Sequence, residues 1–380
     1  MSGDAVVGWG AVSGGADAAA RLGVGGGAGA AGGAGARGAR AARGAKGARG
    51  TAGTGSGGGE LAVETVDYHT AGEPFRIVTA GLPTVAGDTV AERRAIAIGA
   101  GGSPTGPRPS ELDTVRQLLT REPRGHAGMY GGFLVPPDDS EAQLGVLFFH
   151  KDGYSTACGH GTIALGAWAV DSGLVAAPAD GRALVRIDVP SGRVTAVVNR
   201  AAGRTTSVAF RNVPTRVLER GRRVGPVLAD LADSGAVYAS VRVPEVSLKT
   251  LPELTALGRE LRGELLADHD LYGVIFHQEL PDTPTGPAQR NVTVFADGQI
   301  DRSPCGSGTS ARLALLAEEG RLTVDQELRH ESVIGSVFTG RVLGERDGAW
   351  LTEVTGTAHR TGEHRFVLGE HDELGTGFLL

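Results

Sequence analysis

The sequence predicts an α+β protein made of two similar domains, and two observations carry this prediction. From residue 61 onward, short apolar runs are bounded by Gly, Asp and Pro, and only a few segments repeat their apolar residues at helical spacing. This pattern is typical of many strands with few helices. The second observation is an internal repeat around the only two cysteines of the chain, Cys158 and Cys305. We therefore expect each domain to build the same strand–loop–helix unit and to present one thiol to the other.

The apolar pattern locates individual elements. Strands are predicted at residues 76–80, 144–150, 185–189 and 292–295, and helices at residues 162–170 and 309–317. Gly173 and Gly320 follow the two helices, at the position where a left-handed residue commonly ends a helix.

The two copies of the repeat share the pattern Cys-Gly-x-Gly-Thr-x-Ala. Both copies also have Ala nine positions and Gly fifteen positions after the cysteine. A cysteine followed by glycines and then by a helix lies at the helix N-terminus. There the unpaired N–H groups and the positive end of the helix dipole favour the thiolate, so we expect both thiols to have a lowered pKa. The same N–H groups can hold an anion.

Two opposed thiols suit the inversion of an α-carbon, which needs a base on one side of the substrate and an acid on the other. A thiolate and a thiol can perform both tasks, because they exchange roles in the reverse reaction. A substrate carboxylate between the two helix N-termini would be stabilised when charge spreads onto it. Two alternatives stay open: the cysteines could be buried core residues, or they could form a disulfide as a redox switch.

Two polar residues near the cysteines are candidate substrate contacts. His160 could hydrogen-bond a substrate amine or carboxylate, or it could cap the helix. Asp301, four residues before Cys305, could accept hydrogen bonds from a protonated amine, or it could be an exposed turn residue.

The sequence predicts neither a metal site nor a cofactor. No His/Cys set has metal-ligand spacing, the pair His359 and His364 included. A pyridoxal-phosphate enzyme needs a Schiff-base lysine, and the chain has three lysines in all.

Composition bears on partners and location. The 380 residues carry a net charge of −6, which gives no overall attraction to nucleic acid or to anionic membranes. No apolar stretch approaches the roughly 20 residues of a membrane span, and the N-terminus lacks a secretory signal. Two cysteines in a chain of this length are interpreted as reduced thiols, which predicts a cytoplasmic protein.

Residues 1–60 differ from the rest of the chain. They are rich in Gly and Ala, and Arg or Lys recurs at every third position from Arg37 to Arg49. A segment with so little to bury is predicted to be a disordered tail. Binding of nucleic acid by its basic residues is the weaker alternative.

Several segments resemble the proline racemase superfamily, which includes proline racemases, 4-hydroxyproline 2-epimerases and trans-3-hydroxy-L-proline dehydratases. The resemblance runs from about residue 63 to the C-terminus and excludes the N-terminal tail. The matching segments are Asp67-Tyr68-His69-Thr70-Ala71-Gly72-Glu73-Pro74, Glu122-Pro123-Arg124-Gly125-His126, Met129-Tyr130-Gly131, Ser155-Thr156-Ala157-Cys158-Gly159-His160-Gly161, Asp301-Arg302-Ser303-Pro304-Cys305-Gly306-Ser307-Gly308-Thr309-Ser310 and Ser336-Val337-Phe338-Thr339-Gly340.

The resemblance implies a diaminopimelate-epimerase-like fold. In this fold two pseudo-symmetric domains each wrap a curved sheet around a central helix, and the active site lies in the cleft between them. The implied domains are residues 61–205, with the Cys158 motif, and residues 206–357, with the Cys305 motif. Residues 358–380 are expected to return to the first domain. Family members are commonly homodimers, so a homodimer is expected.

The resemblance also implies roles for individual residues. Cys158 and Cys305 become the acid/base pair. The implied substrate-binding residues are Gly159, His160, Asp301, Gly306 and Ser307. The implied partner is a small molecule of amino-acid catabolism, proline or hydroxyproline.

One position separates the subclasses of this family. The dehydratases resemble the chain at Cys158 but carry threonine where Cys305 stands. We therefore expect a cofactor-independent racemase or epimerase that inverts the α-carbon of 4-hydroxyproline or proline.

Other segments keep alternatives open. Residues 122–130 and the ending Gly377-Phe378-Leu379-Leu380 are similar to the dehydratases, so trans-3-hydroxy-L-proline dehydratase is the alternative. Ser234 and Ala157 stand where the family usually has Gly and Met, which leaves the shape of the pocket open. A non-catalytic proline-binding or redox-sensing protein is a further alternative.

Overall fold

The computed structural model describes residues 61–99, 111–266, 269–295 and 298–380. The prediction of a disordered tail at residues 1–60 lies outside the described residues. Within the described ranges the helices are α1 (Val90–Ala97), α2 (Glu111–Thr120), α3 (Gly159–Asp171), α4 (Leu251–Leu265) and α5 (Gly306–Glu318). The strands are β1 (Leu61–Thr70), β2 (Glu73–Ala80), β3 (Tyr130–Val135), β4 (Leu144–His150), β5 (Gly153–Tyr154), β6 (Gly181–Val189), β7 (Gly192–Ala201), β8 (Arg204–Arg211), β9 (Arg216–Val224), β10 (Val227–Asp233), β11 (Val237–Arg242), β12 (Leu271–Thr283), β13 (Gly286–Phe295), β14 (Leu328–Ser332), β15 (Val337–Arg346), β16 (Ala349–Gly356) and β17 (Ala358–Leu368).

The strand pairing repeats in two halves. In the first half, β1 pairs antiparallel with both β17 and β2, and the pairs that follow are β2–β3 parallel, β3–β4 antiparallel, β4–β6 parallel, β6–β7 antiparallel and β7–β8 antiparallel. In the second half, β10 pairs antiparallel with both β9 and β11, and the same order follows: β11–β12 parallel, β12–β13 antiparallel, β13–β14 parallel, β14–β15 antiparallel and β15–β16 antiparallel. Antiparallel pairing of β8 with β16 joins the two halves.

Each half wraps its strands around one helix. Strands β1, β2, β7, β8 and β17 contact α3, whereas β9, β10, β15 and β16 contact α5. Both helices are buried on all sides for most of their length, as expected for helices at the centre of a fold rather than on its surface. The predicted α+β fold of two pseudo-symmetric domains, each with a sheet around a central helix, is therefore confirmed.

The predicted elements lie where the sequence placed them. All four predicted strands fall inside β2, β4, β6 and β13, and the two predicted helices fall inside α3 and α5. The helices begin three residues earlier than predicted, directly after the two cysteines. Gly173 and Gly320 follow the helix ends with φ angles of 76° and 68°, the left-handed conformation expected there.

The domain boundaries stay a prediction. The boundary between residues 205 and 206 falls inside β8, and β17 runs antiparallel along β1 from Ala358 to Leu368. The structure has no helix in the described ranges that is long and apolar enough to cross a membrane.

Candidate active site

The N-terminal ends of α3 and α5 touch each other at two glycines. A Cβ atom added to Gly159 would lie 2.6 Å from Cα of Gly306, and one added to Gly306 would lie 2.7 Å from Cα of Gly159. Real Cβ atoms do not approach backbone atoms this closely, so only glycine fits at either position. The repeated Cys-Gly pattern therefore brings the two helix N-termini, with their free N–H groups, to one place.

Cys158 is the residue directly before α3, and its side chain is buried, with 5% of the residue exposed. The two ring nitrogens of His160 lie 3.5 and 3.6 Å from its sulfur. The imidazole ring packs edge-on against Phe75 and Tyr130. Burial, followed by the nearby Arg302 guanidinium, lowers the pKa of His160 to about 3, so its ring is neutral beside the thiol.

Cys305 directly precedes α5 and is 3% exposed. Its backbone has φ 64° and ψ 108°, a conformation that side-chain-bearing residues rarely adopt and that clusters at functional sites. The hydroxyl of Ser303 accepts a hydrogen bond from the backbone N–H of Cys305 (3.1 Å). The sulfur lies 3.8 Å from the hydroxyl oxygen of Tyr238.

The acidity of both thiols differs from the sequence-based prediction. Burial raises the pKa of Cys158 well above its ordinary value, and the N–H of Gly161 opposes this only in part. Burial followed by the Asp301 carboxyl group also raises the pKa of Cys305, against the N–H of Gly308. The prediction of lowered thiol pKa values was wrong for this enclosed state, because loss of water outweighs the helix N-terminus.

Asp301 and Ser307 complete the polar surroundings. Asp301 lies between β13 and α5, is 1% exposed, and accepts hydrogen bonds from the backbone N–H and the hydroxyl of Ser303 (2.8 and 2.7 Å). The hydroxyl of Ser307 lies 2.7 Å from that of Tyr238. The hydroxyl of Ser234 donates to the carbonyl of Ser307 (2.9 Å), so this departure from the family pattern supports the first turn of α5.

All seven residues predicted from the sequence line one cavity. These residues are Cys158, Gly159, His160, Asp301, Cys305, Gly306 and Ser307. The cavity measures about 10 Å³, room for about one water molecule.

Four aromatic side chains without a role in the sequence-based prediction also line this cavity: Tyr130, Tyr238, Tyr272 and Phe295. Three of them, Tyr130, Tyr272 and Phe295, also line a larger outer cavity of about 490 Å³. The hydroxyl groups of Tyr130 and Tyr272 lie 2.7 Å apart, which links the first half to the second across the wall between the two cavities. Tyr130 belongs to one of the segments that resemble the proline racemase superfamily. The other three residues lie on strands that the sequence marks only by their apolar pattern, which gave no reason to assign them to the site.

Groups of three or more His, Cys, Asp or Glu side chains that could hold a metal ion do not occur in residues 61–99, 111–266, 269–295 and 298–380. The thiols and the imidazole that line the cavity are side chains that can transfer protons.

The chain matches the proline racemase family model over residues 65–379 and belongs to this family of enzymes. It is similar to a trans-3-hydroxy-L-proline dehydratase of Bacillus thuringiensis subsp. konkukian (strain 97-27), with 39% identity over 344 residues, 83% of this chain and 97% of that protein. It is also similar to the trans-3-hydroxy-L-proline dehydratase of Homo sapiens, with 40% identity over 351 residues, 85% of this chain and 96% of that protein.

Two solved structures share the fold. One is a hydroxyproline epimerase from Agrobacterium vitis with bound trans-4-OH-L-proline: 28% identity, TM-score 0.76, 84% of this chain and 95% of that chain. The other is a probable proline racemase from Agrobacterium radiobacter K84 with bound carbonate: 25% identity, TM-score 0.74, 84% of this chain and 96% of that chain. The named relatives near 40% identity are dehydratases, so the comparisons favour the alternative expectation over the epimerase that the sequence placed first.

Proposed function

We propose that the protein dehydrates trans-3-hydroxy-L-proline and that Cys158 removes the α-proton. The observation that carries this proposal is the similarity to trans-3-hydroxy-L-proline dehydratases over 96–97% of their length. The geometry is consistent with it: Cys158 lies at a helix N-terminus inside the cavity, where N–H groups can receive a carboxylate.

Stereochemistry explains how one thiol could suffice. In trans-3-hydroxy-L-proline the carboxylate and the hydroxyl lie on opposite ring faces, so the α-hydrogen lies on the same face as the hydroxyl. The thiolate of Cys158 takes the α-proton, the electron pair forms the double bond between C2 and C3, and the bond from C3 to oxygen breaks. The new thiol then protonates the departing hydroxide on the same face. This step yields water and an enamine that tautomerises to a ketimine, and it restores the thiolate.

The other residues of the cavity bind and orient the substrate in this proposal. The N–H groups at the start of α3 and α5, from Gly159, His160, Gly306 and Ser307, receive the carboxylate and the charge that spreads onto it when the α-proton leaves. Asp301 accepts the hydrogen bond of the ring ammonium. The neutral imidazole of His160 lies beside the Cys158 sulfur and is held by a hydrogen bond to the backbone of Pro74.

A second candidate is 2-epimerisation of 4-hydroxyproline or racemisation of proline. Cys305 favours it, because this thiol lines the same cavity as Cys158 and would provide the acid on the opposite ring face. The enzyme would then be an isomerase rather than a lyase.

Proton NMR in D2O with trans-3-hydroxy-L-proline, trans-4-hydroxy-L-proline and L-proline in separate tubes tests the proposal. Dehydration predicts loss of the 3-hydroxy substrate and growth of the ketimine product. Growth of the opposite epimer or enantiomer, with the 3-hydroxy substrate unchanged, would instead select the second candidate. Unchanged spectra in all three tubes with reduced thiols would leave the non-catalytic binding or redox-sensing alternative.

A further inference from the structure

Glu73, the first residue of β2, is a buried carboxyl group that was given no role by the sequence. It is 0% exposed. One of its oxygens, Oε2, accepts hydrogen bonds from the backbone N–H of Arg302 (2.7 Å) and pairs with Nε of the same residue (2.9 Å). Its other oxygen, Oε1, is reached by no hydrogen-bond donor from the described part of the chain. A buried carboxylate oxygen without a donor is costly.

The carboxyl group of Glu73 lies within hydrogen-bonding range of the carboxyl group of Asp301. The two groups come from opposite halves of the fold, and both are at most 1% exposed. Burial and then the neighbouring Asp301 raise the pKa of Glu73, and burial raises the pKa of Asp301. Two neighbouring carboxylates that are buried away from water repel each other too strongly for both to stay ionised. Such a pair commonly holds one proton between its two groups.

Arg302 is the cation beside this pair: it contacts Glu73, and its charge also acts on Asp301. Its guanidinium also donates to the carbonyl of Gly128 (2.7 Å), and a Cβ atom added at Gly128 would lie 2.5 Å from Nη1 of Arg302. The other titratable groups around the pair are the thiols of Cys158 and Cys305, the imidazoles of His126 and His160, and the phenol of Tyr130.

None of these other groups supplies a second positive charge at neutral pH. Burial followed by Arg302 lowers the pKa of both His126 and His160, and burial raises the pKa of Tyr130 and of both thiols. Two ionised carboxylates would exceed the single charge of Arg302, whereas a pair that holds one proton balances it.

We propose that Glu73 is a positioning residue for Asp301, and that the two carboxyl groups share one proton and present a single negative charge to the ring nitrogen of the substrate. The proposal rests on the proposed function, because it takes the substrate to be a proline-type ammonium. Asp301 then meets this ammonium already oriented by two neighbours: Ser303 donates to its Oδ1, and the carboxyl group of Glu73 lies within hydrogen-bonding range.

Glutamine is the matched replacement for a protonated Glu73. In Glu73→Gln, the amide oxygen can accept from Arg302 and the amide nitrogen can donate to Asp301, as the protonated acid does. In Glu73→Ala, Asp301 loses its donor and Arg302 loses its partner. We expect Glu73→Ala to raise KM by tenfold or more, ~1.4 kcal/mol of binding, and Glu73→Gln to restore most of this loss.

Infrared spectroscopy of the substrate-free protein tests the shared proton directly. At neutral pH we expect a carbonyl band of a protonated carboxylic acid in the wild type, and we expect it to vanish in Glu73→Gln. Asp301→Asn should change the same band, because the proton belongs to the pair, and this second variant covers the case in which one of them does not fold.

A wild type without a protonated-acid band sensitive to these variants would overturn the proposal. A KM for Glu73→Gln as high as that for Glu73→Ala would also overturn it, because hydrogen-bond donation to Asp301 would then have no effect. The infrared band is measured without substrate. A protein that turns over no proline derivative would therefore contradict the proposed function, and the infrared result would still show whether Glu73 and Asp301 share a proton.

Discussion

At the scale of single residues, the proposed proton transfer depends on thiols that are harder to ionise than the repeat predicts. Each sulfur has the N–H groups of a helix N-terminus nearby, yet burial raises the pKa of both Cys158 and Cys305. In the closed cavity both cysteines are therefore thiols at neutral pH. The reactive thiolate forms only in a minor fraction of the molecules, and this fraction grows with pH.

The raised pKa of the Cys158 thiol gives a pH prediction. Below the pKa of the Cys158 thiol, the thiolate fraction rises tenfold per pH unit, so kcat/KM for trans-3-hydroxy-L-proline should rise by up to about tenfold per unit from neutral to mildly alkaline pH. Initial rates across this range measure it, with the fold checked by circular dichroism at each pH. A flat profile across the same range would mean that the free enzyme already holds a thiolate.

The seven cavity residues that the sequence assigned lie in two short segments next to the helix starts. The repeat singled out the two cysteines, and the family resemblance implied the five substrate contacts. Glu73, Tyr238 and Tyr272 could not be assigned this way. Tyr238 and Tyr272 reach the cavity, and Glu73 reaches Asp301, from strands that are far away along the chain, so their positions depend on strand register. The direction of the thiol pKa shift could not be predicted either. It depends on how completely the folded chain excludes water from each thiol, and a short motif does not reveal this.

At the scale of elements, the contact between the starts of α3 and α5 defines the site. Gly159 and Gly306 allow the two backbones to approach so closely that one substrate carboxylate could receive N–H groups from both helices. The sequence predicted both helices, because each has apolar residues at helical spacing and a glycine after its last turn. It did not single out α4, whose buried positions Leu254, Gly258, Leu261 and Leu265 also follow helical spacing but carry no motif.

Substitution at the helix contact tests this geometry. Gly306→Ala should lower the free energy of unfolding by about 1–3 kcal/mol and reduce kcat/KM sharply, because the new methyl group pushes α3 and α5 apart. Chemical denaturation and initial rates measure the two effects.

The matched control is Gly263→Ala in α4, where an added Cβ meets no atom within 4 Å. This replacement should stabilise the protein by up to about 1 kcal/mol, since alanine favours a helix over glycine, and it should leave the rate unchanged. If Gly306→Ala behaved like this control, the close contact would not be needed for the site.

At the scale of the whole molecule, two similar halves close over the site. The cavity has room for about one water molecule, which is too small for a proline ring. The halves therefore have to separate for a substrate to enter, and the Tyr130–Tyr272 contact lies between them.

The organisation into two similar halves could be predicted from the repeat, because one motif in each half indicates two copies of one structural unit. The return of β17 to β1 came only from the family resemblance, since its residues carry no signal for their partner strand.

Buried histidines of the second half give the stability a pH dependence. Burial, followed by the Arg312 guanidinium, lowers the pKa of His330 to about 3 and that of His277 well below its ordinary value. The folded state thus keeps both rings neutral, while the unfolded chain protonates them below about pH 6.5. Their stabilising contribution is complete above that pH and is lost as the pH falls toward the folded-state values.

We expect the free energy of unfolding to fall by about 2 kcal/mol for each of these histidines between about pH 7.5 and about pH 5. Denaturant titrations at the two pH values measure it. His330→Asn should reduce this pH dependence, because asparagine can keep the hydrogen bond to Thr309 without taking up a proton. A pH dependence as steep in this variant as in the wild type would show that His330 is not responsible.

The most direct measurement of the central claim compares Cys305→Thr with Cys158→Thr in the turnover of trans-3-hydroxy-L-proline. If one thiol on the hydroxyl face performs the dehydration, Cys305→Thr keeps kcat within about tenfold of the wild type, and Cys158→Thr loses at least about a thousandfold. Equal loss in both variants would contradict the account, because dehydration would then require both thiols.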